Sequence, residues 1–219
     1  MSGSNVPASS GRNPTGRAST GRTMVLCDGD LPAYHAAWAA RERAISDGPA
    51  TPMPVLAPFG VSPVREAIEH AVTLQARALG LTAVASIASQ AHSEDLPGHA
   101  EALALVNACY AAVRLGCDRV VYAAHACVGD AMDLDRVAAI ADRAVLAARL
   151  CSLDALAHHT PGIRIETPYA DLTDLQLADL FLDADLTPQA LWWWGGTDDA
   201  ARAQHARWMR ALEPMGFRV

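Results

Sequence analysis

Lysine is missing from this 219-residue chain: all 17 of its basic residues are arginine. That excludes a Schiff-base lysine and a lysine phosphate clamp. Positive charge is short altogether. The formal net charge of −7 argues against nucleic acid as the main partner, because binding a phosphate backbone needs a basic surface. No run approaches the roughly 18 consecutive apolar residues of a membrane span, so no membrane partner is expected. The five cysteines, Cys27, Cys109, Cys117, Cys127 and Cys151, form no C-x-x-C pair. With no secretory signal pattern at the start, they fit structural thiols in a reducing cytoplasm.

What the chain does have is a 51% apolar composition and a regular alternation of short apolar runs with helical patterns. Residues 1–22, rich in Ser, Gly, Pro and Asn and without an acid, read as a disordered tail. Residues 23–219 read as a single α/β domain. Strands are predicted at "TMVLC", "PVLAPF" (54–59), "TAVASIA" (82–88), "DRVVYAA" (118–124) and "IRIE" (163–166). Between them, a helix follows Ser62 as N-cap and Pro63 and stops at Gly80. Others are predicted over 97–115 and 133–150. Thr173 and Gln176 frame a capping box for "DLQLADLFLD", and Thr197 is the expected cap of a last helix over 198–212. Strands alternating with helices predict a parallel five-stranded sheet with helices on both faces, a Rossmann-like arrangement. Ligands of such sheets sit beyond the carboxyl ends of the strands, which directs attention to residues 27–33.

Four stretches carry a resemblance over nearly everything after residue 23: "VLCDGDLPA", "FGVSPVREAIEHAVTLQARALG", "LPGHAEALALVNACYAAVRLGCDRVVYAAH" and "IRIETPYADLTDLQLADL". Their order resembles the 7-cyano-7-deazaguanine synthase (QueC) family of the PP-loop ATP pyrophosphatase superfamily, a fold of the HUP/PP-loop type. The resemblance implies an ATP-dependent, C–N bond-forming ligase that activates a carboxylate on a deazapurine and converts it with ammonia to a nitrile. It also implies a dimer and a four-cysteine zinc site near the C-terminus.

The family's loop, S-G-G-x-D-S, falls on Asp28, Gly29, Asp30, Leu31, Pro32 and Ala33. Both serines are replaced, Pro32 removes an amide donor, and two carboxylates stand where phosphates would sit. The family's zinc ligands fall near Trp193, Ala201, Gln204 and Arg207, none a cysteine. The three tryptophans 192–194 are expected to replace the metal with buried aromatic area. The family's P-G-R-N becomes Pro97, Gly98, His99 and Ala100. A basic position after the Thr of the capping box is Asp174, and a Y-P-D-C-R-like stretch keeps only Arg136.

Two functions follow as expectations. In the first, ATP and zinc chemistry are lost and no cofactor is used. The chain is then non-catalytic, with a repurposed small-molecule pocket, as a homodimer or a heterodimer with an intact homologue. In the second, Mg²⁺ bridges the acidic loop to ATP and the chain still adenylates a carboxylate. Asp28, Asp30 and Arg136 are the catalytic candidates. Cys27, Asp28, Gly29, Asp30, His99 and His125 are the candidates for ligand binding. "DGD" itself reads either as a plain turn or as a carboxylate pair for Mg²⁺ or a cationic ligand. A Cys27 nucleophile with His35 or His125 as base, and a loop metal site of His92, Glu94, Asp95 and His99, are the remaining chemical readings.

Overall fold

A computed structural model describes residues 21–60, 64–87, 98–127, 129, 131–157 and 162–218. Residues 1–20 of the expected tail, the Ser62–Pro63 helix start and the His92–Asp95 loop lie outside the described residues, while Arg22, placed in the tail from sequence, opens the first strand because it pairs with Cys117.

Five strands form one sheet in the order β3-β2-β1-β4-β5: β1 Arg22–Cys27, β2 Val55–Pro58, β3 Thr82–Ala83, β4 Cys117–Tyr122 and β5 Arg164–Glu166. Every pairing is parallel. Helices α1 (Leu31–Ser46), α2 (Arg65–Leu79), α3 (His99–Arg114), α4 (Leu134–Ala157), α5 (Asp174–Asp183) and α6 (Asp199–Leu212) cover it.

The period of two along the central strands sorts their side chains into two cores. Val25, Cys27, Leu56 and Val121 pack under α1, α2, α5 and α6 with Tyr34, Val72, Phe181 and Trp208. Met24, Leu26, Ala57 and Val120 pack under α3 and α4 with Leu105, Cys109 and Cys151. Both faces of the sheet are therefore covered, as the near-continuous apolar strand sequences require. No helix among the described residues is long and apolar enough to cross a membrane.

The structure shifts several boundaries. The third strand is only Thr82–Ala83, because after Val84 the edge of the sheet keeps just one further bridge, Phe59 to Ile87. The fourth helix runs to Ala157 instead of 150, with no Gly or Pro to stop it before Pro161. The last helix is capped by Asp198 rather than Thr197: the Asp198 carboxylate accepts from Ala201 N at 2.8 Å, while the Thr197 carbonyl takes Arg202. The capping box at Thr173 and Gln176 is present in both directions, and Gly80 ends α2 in the left-handed region (φ 65°).

Candidate functional site

β1 lies at the point where the strand order turns back, flanked by β2 on one side and β4 on the other. Connections leave in opposite directions there, so a crevice opens past the strand ends. A cavity of about 400 Å³ occupies it, lined among others by Leu26, Asp28, Asp30, Phe59, Glu101, Tyr122, His125, Arg136, Arg143, Gln204 and Arg207.

The loop after β1 is built by its own side chains. Asp28 Oδ1 accepts from Asp30 N at 3.0 Å, and Asp30 Oδ1 accepts from Leu31 N at 2.8 Å as the N-cap of α1. Pro32 has no amide hydrogen. Gly29 sits at φ 75°, and a Cβ there would stand 3.1 Å from Ala71 Cβ and 3.3 Å from Trp192 Cβ. Its carbonyl is held by Trp192 N at 3.1 Å and by Gln75 Nε2 at 3.0 Å. Gln75 is fully buried and also donates to the Ala190 carbonyl at 3.1 Å. The loop is therefore clamped from behind.

Asp30 is buried and its second oxygen is used too. Trp193 Nε1 donates to Oδ1 at 2.6 Å, and Gln204 Nε2 donates to Oδ2. One turn further along α6, Arg207 forms a two-toothed pair with Asp174, Nε to Oδ2 at 3.0 Å and Nη2 to Oδ1 at 2.7 Å. Arg207 Nη2 also donates to the Cys127 carbonyl at 2.8 Å and to His125 Nδ1 at 2.9 Å. His125 Nε2 in turn donates to the Leu172 carbonyl at 2.9 Å, so the imidazole is the neutral Nε2–H tautomer. Burial and the adjacent Arg207 hold its pKa below the ordinary value. On the far wall, Glu101 accepts from Tyr122 OH and from Arg143 Nη1, both at 2.7 Å.

Asp28 differs from these groups. It is exposed where it lines the cavity. Confinement from bulk water and the neighbouring Asp30 raise its carboxyl from 3.8 to about 7.

The predicted site residues separate accordingly. Asp28, Asp30, His125 and Arg136 line the cavity, with Gly29 shaping its floor. Cys27 does not line it: its side chain belongs to the core under α1, and its thiol donates to the Val25 carbonyl at 3.5 Å. Burial and Asp28 push that thiol well up, away from nucleophilic use. His35 is bonded to Tyr169 OH at 2.7 Å instead of to Cys27. His99, exposed in the first turn of α3, is not a lining residue, whereas Glu101 two positions on is. Glu101, Tyr122, Arg143, Gln204 and Arg207 were not singled out as cleft residues from sequence. Trp193, Gln204 and Arg207 stand where the resemblance implies zinc ligands; here they hold two aspartates. No group of three His, Cys, Asp or Glu placed for a metal ion occurs among the described residues.

No protein-family profile and no curated protein matches the chain. Among solved structures it is similar to the U34-tRNA thiolase NcsA from Methanococcus maripaludis, determined with its [4Fe-4S] cluster. The TM-score is 0.52 at 9% identity, and the match covers 90% of this chain and 67% of that one. At that identity the likeness is one of fold: a Rossmann-like α/β fold of the PP-loop type.

Proposed function

We propose that this chain is a PP-loop-type protein, related to the 7-cyano-7-deazaguanine synthases, whose switch-point cleft binds a small organic ligand and does not grip ATP. One observation carries the reading. The amides of Asp30 and Leu31, which in such a loop would face a pyrophosphate, are already bonded to the carboxylates of Asp28 and Asp30. A phosphate would have to displace both carboxylates and then face their charge.

Magnitudes favour the same conclusion. Repulsion between close like charges costs about 1 kcal/mol in water and several-fold more in a partly enclosed cleft. Each lost amide donor removes roughly another 1 kcal/mol. Rescue by bridging Mg²⁺ needs free carboxylate oxygens. Both oxygens of Asp30 are engaged by Leu31 N, Trp193 and Gln204, leaving one oxygen of Asp28. A bridging Mg²⁺ would then have a single uncommitted carboxylate oxygen, the low end of what a magnesium–nucleotide complex uses.

Titration calorimetry with Mg-ATP, with and without 7-carboxy-7-deazaguanine, tests the reading. We expect no heat and no thermal stabilisation from ATP. Micromolar ATP binding would overturn it and restore the adenylating enzyme.

A further inference from the structure

Within that cleft, and resting on the reading just given, we propose that the ligand is a small zwitterion with an apolar body: an ammonium or similar nitrogen on Asp28 and a carboxylate on Arg136. The cleft's charges are otherwise spent. Arg207 is taken by Asp174, His125 and the Cys127 carbonyl. Arg143 is taken by Glu101, whose other oxygen takes Tyr122. Asp30 is saturated by three donors.

Two lining groups remain. Asp28 spends one oxygen on Asp30 N and keeps the other. The Arg136 guanidinium, on the first turn of α4, has no bonded partner among the described residues. Asp28 follows β1 and Arg136 opens α4, and no ion pair joins them among the described residues. An unpaired anion and an unpaired cation facing one cavity are matched by a ligand bearing both signs. Leu26, Phe59 and Ile140 line the space, and Phe59 packs edge-on to Tyr122 at 5.3 Å. An apolar, and above all an aromatic, body fits such walls.

The groups facing Asp28 set its pH response. Asp30 raises its affinity for a proton, Arg207 lowers it, and His125 nearby is neutral. An ammonium gains from Asp28 only when the carboxyl is ionised, so binding tightens as pH rises through neutrality.

The test uses the full chain and three probes at about pH 8: L-phenylalanine, phenethylamine and 3-phenylpropionate. L-Phenylalanine is expected to bind about tenfold tighter than either half-ligand. Asp28→Asn should reduce it to the level of 3-phenylpropionate, and Arg136→Gln to the level of phenethylamine. Equal affinity for zwitterion and half-ligands, an unchanged affinity in Asp28→Asn, or no binding in the millimolar range overturns the inference. Those outcomes leave the absence of an ATP grip standing; Mg-ATP binding under the same conditions would sink the underlying reading instead.

Discussion

Two buried aspartates, each opening a helix beside the cleft, are held by opposite means. Asp30 caps α1 and takes only neutral donors, from Leu31 N, Trp193 and Gln204. Asp174, in the first turn of α5, is met by the Arg207 guanidinium and by Gly129 N at 2.8 Å. Both clamps come from α6 or the segment leading into it, and Gln204 and Arg207 lie one turn apart on that helix. The difference shows in the surroundings. Around Asp174 the charge is cancelled, and His125 is left neutral. Around Asp30 the charge is solvated by hydrogen bonds but not cancelled, so Asp28 next to it holds its proton more tightly. Two neighbouring turns of α6 thus treat their aspartates differently, and only the one at Asp30 leaves an uncancelled charge beside Asp28.

The largest effect should come from removing the cancelling charge. Arg207→Met leaves Asp174, 3% exposed, short of its main donor and its charge partner, which is expected to cost about 3–5 kcal/mol in chemical denaturation. The double variant Asp174→Asn with Arg207→Met should recover part of that loss, because no unpaired charge then stays buried. If Arg207→Met costs no more than a surface substitution, the two aspartates are not held differently.

Next in size is the neutral clamp. Trp193→Phe keeps an aromatic ring but removes the 2.6 Å bond to Asp30 and part of the buried volume, and should cost about 1–3 kcal/mol. Gly29→Ala adds a Cβ at positive φ within 3.1 Å of Ala71, and should cost about 1–3 kcal/mol. It should also disturb the cleft floor, read as weaker binding of any probe that Asp28 contacts. A fully stable Gly29→Ala variant with unchanged probe affinity would show that the loop is not clamped as described.

Much of this scaffold was legible in the sequence, for local reasons. Switches between periods of two and 3.6, Gly80 as a stop and the Thr173–Gln176 box act over a few residues, and they located the strands and helices. The short edge strand was overestimated because "TAVASIA" has strand composition, while ladder bonding depends on its neighbour. The loop residues Asp28, Gly29 and Asp30 were legible because the first strand of such a sheet points to its ligand. The clamps were not. Gln204 meets Asp30 across 174 positions and Arg207 meets Asp174 across 33, and no spacing rule joins residues so far apart. Alternation along β1 would have separated Cys27 from Asp28, since neighbours on a strand face opposite sides.

The smallest effect, and the one that isolates Asp28, is a dependence on pH. Its carboxyl binds a proton more tightly in the folded chain, at about 7, than its ordinary value of 3.8. Between those values the folded state holds the extra proton, so stability contributed by this group falls as pH rises through the window and stays low above it. Asp28→Asn has no proton to lose. Its thermal midpoint should match that of the wild-type chain near pH 4 and exceed it increasingly up to about pH 7, with a constant gap beyond. His125 shifts the other way, losing stability as pH falls below its ordinary value, but it is common to both proteins and cancels in the difference. A gap that is flat from acid to alkaline pH would mean that Asp28 titrates like an open surface carboxylate. The contrast between the compensated Asp174 and the uncompensated Asp30 would then no longer reach the cleft.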